Sequence, residues 1–342
     1  MRVYSPVTDT PAFEPAGTLV PVPSATLPLR REFQLALGMP AAIRRDVVAF
    51  APDLVHLSTP DLLNTRALAF ARARDIPVVA SQHTLFETYL AHYGLGWARP
   101  LAEAHLARFY RRCDHVLVAM QALIPPMQRI RRDGAVSLFT RGIDRARFHP
   151  AHRDMAWRRA HGIGDDEVAV LFFGRLVLEK GVRTYAATLR ALADRGLPVR
   201  PLVLGAGPAA DAFAALPGAV LVGHLEGATL SKAVASADVF LHTSMTEAFG
   251  NVLLEAMASG LATVCTDCPS ARTMFDSGRT GFVAPPGDVA MHVDLVARLV
   301  EDAALRRAIG RAAREETKRF DWDSALQAVA DVYDGMVGDR GR

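Results

Sequence analysis

Short apolar runs rich in β-branched residues alternate along this chain with longer stretches in which apolar residues recur every three or four positions. The first pattern is that of buried strands and the second that of helices with one buried face. In the first half the pattern predicts strands at 3–5, 54–57, 78–81 and 116–118. Helices are predicted at 41–50, 61–74, 97–112 and 121–132, the second opening on Asp61 and the third carrying Leu101, Leu106 and Phe109 along one side. Residues 6–30, crowded with Pro and small residues, predict mostly loop. In the second half strands are expected at 168–173, 202–204, 220–222, 239–241 and 262–264, with helices between them and helix almost throughout after Gly287. Strands alternating with helices at this spacing imply an α/β class built on parallel sheets covered on both faces.

The alternation breaks at Arg141-Gly142-Ile143-Asp144 and Phe148-His149-Pro150. With 342 residues the chain has room for two domains. The expected division is 1–145, 146–319 and a closing helical segment 320–342. Half the residues are hydrophobic, yet no apolar run nears the roughly 18 residues of a membrane span. Met1-Arg2-Val3-Tyr4 leads straight into strand-like sequence rather than a signal peptide. Three Cys suit a reducing compartment, so a cytoplasmic location is expected. Cys265 and Cys268 form a C-x-x-C without a second pair or a thioredoxin-like context, and read as a strand end and turn beside a ligand cleft.

The net charge of +3 is unevenly spread. Residues 1–150 carry 18 Arg against 12 acids, and all three Lys lie in the second half. Arg clusters at Arg30-Arg31, Arg44-Arg45, Arg111-Arg112 and Arg129-Arg131-Arg132 allow two readings: peripheral contact with the anionic inner face of a membrane, or a solvated basic surface. No nucleic-acid-binding motif occurs, and aromatic residues do not interleave with the clusters, so a nucleic-acid partner is not expected.

The densest chemistry lies in 238–264, which reads as strand, polar loop, helix, strand. Glu247 falls just before the helix and Glu255 within it, while Ser259-Gly260 stops it. The amides of Phe249, Gly250, Asn251 and Val252 fall at the helix N-terminus, where unbonded N–H groups and the helix dipole favour an anion. An anion flanked by two carboxylates suits a phosphorylated polyol, with amides for the phosphate and carboxylates for hydroxyls. The plainer reading is a capped helix with two solvated Glu. A second turn, Phe173-Gly174-Arg175-Leu176-Val177-Leu178-Glu179-Lys180-Gly181, follows an apolar strand and sets Arg175 and Lys180 where open α/β sheets bind ligands. Two cations and a helix N-terminus can stabilise a diphosphate leaving group without a metal, so neither a metal nor a cofactor is expected.

With both motifs in this order, nearly the whole chain resembles glycosyltransferase family 4, retaining enzymes of the GT-B fold with two Rossmann-like domains facing a cleft. The resemblance implies that Arg175 and Lys180 take the donor diphosphate, that Glu247 and Glu255 grip the donor sugar and ribose, and that Gly205, in Gly205-Ala206-Gly207-Pro208, lies near the base. It also implies that His83, in Ser81-Gln82-His83-Thr84, faces the donor sugar across the cleft. His83, Glu247, Arg175 and Lys180 are thus the expected catalytic set. Residues 89–96 resemble a narrower group, lipid- or glycan-directed mannosyl- and sulfoquinovosyl-transferases, which puts Tyr93 near an acceptor. Glu226 is a further candidate beside the base, and the residues do not separate guanine from uracil. The expected partners are a nucleotide-diphosphate sugar, with GDP-mannose foremost, and a lipid or glycan acceptor.

One departure stands out. The family opens with a strand and a Gly-Gly loop, whereas this chain has no Gly-Gly pair, and Met1 to Pro6 resembles the family's second strand. The reading is that a first strand, loop and helix are missing. Three readings therefore stay open: an active retaining hexosyltransferase, a truncated nucleotide-sugar-binding relic, and another GT-B enzyme such as an epimerase.

Overall fold

The computed structural model describes every residue except 8–16, 28–29, 84–93, 246, 248 and 339–342, with the side chains of 27 and 30–33 also undescribed. The chain starts with β1 (Arg2–Ser5), paired in parallel with β2 (Thr18–Pro21), and continues into the antiparallel hairpin β3 (Ser24–Leu27) and β4 (Arg30–Ala36). The segment read as mostly loop therefore holds strands. Pro21 and Pro23 fall at the end of β2 and in the link to β3, where a strand tolerates proline.

Next come α1 (Ala41–Phe50), β5 (Val55–Leu57), α2 (Leu62–Arg72), β6 (Val78–Gln82), α3 (Arg99–Arg111), β7 (His115–Val118), α4 (Ile124–Arg131) and β8 (Val136–Leu138). Asp61 caps α2 by accepting from the Asn64 amide at 2.8 Å. Strands β5 to β8 form a four-stranded parallel sheet in sequence order. β8 is absent from the predicted pattern because Val-Ser-Leu is too short to display a period.

The second half contains α5 (Met155–Ala160), β9 (Val168–Phe173), α6 (Val182–Asp194), β10 (Val199–Leu204), α7 (Ala210–Ala214), β11 (Val220–Gly223), α8 (Gly227–Ala235) and β12 (Val239–His242). It closes with α9 (Asn251–Ala258), β13 (Ala262–Thr266), α10 (Pro269–Met274), β14 (Phe282–Ala284), α11 (Val289–Glu301), α12 (Ala303–Glu316) and α13 (Trp322–Gly338). Six parallel strands stand in the order β11-β10-β9-β12-β13-β14. Their side chains sort by the two-residue strand period. Val168, Val170 and Phe172 pack with Tyr185, Leu189 and Val296 on one face, while Ala169 and Leu171 join a larger core on the other.

That larger core is continuous with Val78, Ala80, Val116 and Val118 of the first sheet, so the two halves share apolar contact. The opposite face of the first sheet, Val79 and Leu117, is closed by Val329 of α13. A polar contact reinforces this return: the Tyr333 hydroxyl hydrogen-bonds His56 Nδ1, and His56 Nε2 meets Ser81 Oγ at 2.6 Å. Burial pulls the His56 pKa down to about 4, so the ring is neutral in this network. The crossover is tied to the same region, with the Ile143 amide donating to the Phe320 carbonyl at 3.1 Å and Arg314 donating to the carbonyls of Phe148 and Ala258.

Tyr333→Phe removes one hydrogen bond and leaves His56 Nδ1 without its partner while keeping the ring's packing. It should cost about 1–2 kcal/mol and lower the calorimetric midpoint by a few degrees. An unchanged midpoint would show that apolar packing alone seats α13.

Candidate functional site

The order of the six-stranded sheet reverses between β9 and β12. Chain leaving β9 builds one side of the sheet through β10 and β11, and chain leaving β12 builds the other through β13 and β14. Loops after the two strands diverge there, opening a crevice outside their carboxyl ends, the general ligand position of such sheets. A cavity of about 230 Å³ occupies that point. Gly174, Arg175 and Lys180 line it from the loop after β9, His242, Ser244 and Glu247 from β12 and its loop, and Gly250, Asn251 and Val252 from the start of α9.

Side chains of the second loop hold the first. Thr243 Oγ1 donates to the Lys180 carbonyl at 3.1 Å and Ser244 Oγ to the Glu179 carbonyl at 3.3 Å. Across the gap Lys180 Nζ forms an ion pair with Glu247 Oε1, and His242 Nε2 stands 3.7 Å from the same oxygen. Burial alone would raise the Glu247 pKa, but His242 and Lys180 outweigh it and bring the carboxyl down to about 2. The half-exposed Arg175 guanidinium lies 4.0 Å from Glu179. Gly250, the residue before α9, has φ +78°, a left-handed conformation that favours glycine, and no side chain among the described residues caps the helix there. The cavity thus unites two cations, one ionised carboxylate and a helix N-terminus open to an anion.

Other expected residues stand elsewhere. The Phe249 side chain is buried against Phe320, with ring centroids 6.3 Å apart, so only its backbone can serve a ligand. Glu255 does not line the cavity; burial raises its pKa to about 7, with Arg147 offsetting only part of the effect. Gly205 has φ +137°, and a Cβ there would come within 1.8 Å of the Gly174 carbonyl oxygen, so it packs backbone on backbone behind the cavity wall. Glu226 is exposed and pairs with His224 at 3.1 Å. His83 ends the loop edge of β6 against Phe139, with ring centroids 5.5 Å apart, and does not line this cavity. Its buried Nδ1 has no partner among the described residues, and burial, with Arg141 and His56, lowers its pKa to about 4. Tyr93 lies outside the described residues. The Asp-x-Asp of the chain, Asp321 to Asp323, opens α13, where Asp321 accepts from the Ser324 amide at 2.8 Å.

Two features escaped the sequence reading. Lys180 and Glu247 were read as separate grips, yet they are paired, because strand order is not written in either motif. His242 was not singled out at all; the signal available was its position directly before the polar loop.

The description "Glycosyltransferase Family 4" matches residues 1–147, and "Glycosyl transferases group 1" matches residues 154–316. Over 324 residues the chain is 33% identical to a GDP-mannose-dependent alpha-mannosyltransferase of Mycobacterium tuberculosis, covering 93% of this chain and 82% of that protein. Over 312 residues it is 32% identical to the sulfoquinovosyl transferase SQD2 of Arabidopsis thaliana, covering 88% of this chain and 60% of that relative's length. Among solved structures, sucrose-phosphate synthase from Thermosynechococcus elongatus superposes with a TM-score of 0.75 at 19% identity, covering 87% of this chain and 77% of that one.

The raised pKa of Glu255 has a sign that can be checked. A carboxyl that binds its proton more tightly when folded adds stability fully present below its ordinary pKa near 4.5 and lost as pH rises through about 7. Glu255→Gln should therefore be more stable than the parent above pH 7 by about 2 kcal/mol, with the difference vanishing near pH 4.5. Denaturant midpoints across that range are the measurement. A parent and variant separated equally at all pH values would contradict the buried, proton-holding carboxyl.

Proposed function

The chain belongs to glycosyltransferase family 4 and has the GT-B fold, and from that membership and the cavity between β9 and β12 we propose that it moves a hexosyl group from a nucleotide-diphosphate sugar to an acceptor hydroxyl with retention of configuration. The observation that carries this reading is the convergence of Arg175, Lys180, Glu247 and the α9 N-terminus on one crevice. Negative charge grows on the diphosphate as the glycosidic bond breaks. Arg175, Lys180 and the amides of 250–252 would meet that charge with fixed donors, which stabilises the transition state more than the ground state. Glu247, held ionised by His242 and Lys180, is an acceptor for hexose hydroxyls, and Glu255, one turn into α9 and outside the cavity lining, is assigned to the ribose diol from the family resemblance.

Lys180 then has two roles in turn. Without donor it neutralises Glu247, and with donor it lies between that carboxylate and the diphosphate. No carboxylate lining the cavity other than Glu247 offers itself as a covalent nucleophile, and Glu247 is already engaged by Lys180. Same-face attack by the acceptor hydroxyl is the proposed course, with positioning and leaving-group stabilisation as the main contributions. Mannose is the favoured sugar and a lipid or glycan the favoured acceptor, given the mannosyl- and sulfoquinovosyl-transferase relatives. No helix among the described residues is long and apolar enough to cross a membrane, so a lipid acceptor would be met from the membrane surface.

Turnover of a panel of labelled nucleotide sugars, with product analysis, tests this reading. GDP-mannose should be the best donor, and release of nucleotide without a glycosylated product would contradict transfer. Arg175→Ala should lower nucleotide affinity and lower kcat further still. Glu255→Gln should weaken nucleotide binding by about 1–3 kcal/mol, the opposite of its effect on stability. Activity should survive EDTA; loss that Mg²⁺ or Mn²⁺ restores would overturn the metal-independent mechanism.

A further inference from the structure

Behind the wall of the donor cavity, β12 and β13 lie in register with His242 opposite Cys265. His242 Nδ1 is 3.2 Å from Cys265 Sγ, and Cys268, three residues on, contributes a second thiol to the group, itself 3.1 Å from Ser270 Oγ. The three ligand atoms all lie within 4.8 Å of one another, and all three residues are buried. Cys113, the remaining cysteine, is elsewhere, in the core beneath α3.

We propose that His242, Cys265 and Cys268 form a binding site for a thiophilic d¹⁰ cation, Zn²⁺ being the reference ion. The site stands on this geometry and does not rest on the proposed transfer reaction, although His242 and Glu247 also line that cavity. The geometry is close to what such an ion needs. Zinc with sulfur at about 2.3 Å and imidazole nitrogen at about 2.0 Å holds its ligand atoms roughly 3.5–3.8 Å apart, so the side chains need move only on the order of 1 Å.

The imidazole is already aimed. Nδ1 is in contact with Cys265 Sγ at 3.2 Å, the same thiol donating to the Thr266 carbonyl at 3.2 Å, while Nε2 has no hydrogen-bond partner among the described residues and stands 3.7 Å from Glu247. Coordination through Nδ1 would leave the ring proton on Nε2 and make Glu247 the carboxylate that orients a ligating histidine. Charge balances as well. Binding M²⁺ displaces the two thiol protons to solvent, leaving two thiolates, one neutral imidazole and no net charge to bury. His242 also lines the donor cavity, so the group lies directly behind that wall. The ion would hold the ring that holds Glu247, linking metal occupancy to the same carboxylate that Lys180 neutralises.

The test is titration of the reduced, full-length protein with Cd²⁺, followed by the thiolate-to-cadmium charge-transfer absorbance and repeated with Zn²⁺ in competition. Binding of one ion per chain is expected, and Cys113→Ser should leave it unchanged. Cys265→Ser and Cys268→Ser should each abolish the band, and Glu247→Gln should weaken binding about 10-fold. Because a cysteine variant could fail to fold, X-ray absorption on the zinc-loaded parent chain serves as the second measurement. A shell of two sulfurs and one imidazole nitrogen is required. No stoichiometric uptake, a shell lacking sulfur, or an undiminished band in folded Cys268→Ser would overturn the site.

Discussion

Lys180 and Glu247 meet across the gap between two loops that leave neighbouring strands for opposite sides of one sheet. Without the other, each would be a partly buried charge missing its main counter-charge, a costly arrangement. Together they fix the separation of the loops, assisted by Thr243 and Ser244 donating to the carbonyls of the facing turn. The ion pair has this reach because the strand order forces the divergence: β9 and β12 are adjacent in space and separated in sequence by two strands and three helices. The crevice follows from topology, and its charge pattern follows from the pair.

Much of this was legible in the residues. The strands 168–173 and 239–241 were readable as apolar runs, and the turns after them carried the cations and carboxylate that the cavity unites. Local signals of this kind survive because a buried parallel strand needs a continuous apolar run and a helix needs its own period. What was not legible depends on contacts between distant segments. The pairing of Lys180 with Glu247 requires knowing that β9 lies beside β12. The role of His242 requires knowing that it faces Cys265 across a strand pair, since a C-x-x-C with no second pair gives no hint of a third ligand. The strands within 18–36 were obscured by prolines that edge positions accept.

The first sheet and the last helix depend on one another in a similar way. Val79 and Leu117 form an apolar face that α13 closes, and His56 gives that face a polar anchor for Tyr333. The end of the chain therefore completes the core of its beginning, and the crossover residues 143–148 run beside the return, tied to Phe320 and Arg314. The two sheets thus share a common apolar core, and the first is closed by the last helix. His83 is held neutral by burial, with Arg141 and His56 adding to the effect.

The central claim is that the crevice between β9 and β12 receives a nucleoside diphosphate through Arg175, Lys180 and the backbone of 250–252. A crystal structure of the chain with bound GDP tests it most directly. The account predicts the diphosphate within hydrogen-bonding distance of both cations and of the α9 amides, with Lys180 turned from Glu247 toward the phosphates and the ribose directed to Glu255. A diphosphate bound away from these groups, or seated there with the Lys180 and Glu247 pair unmoved and the ribose directed elsewhere, would contradict it.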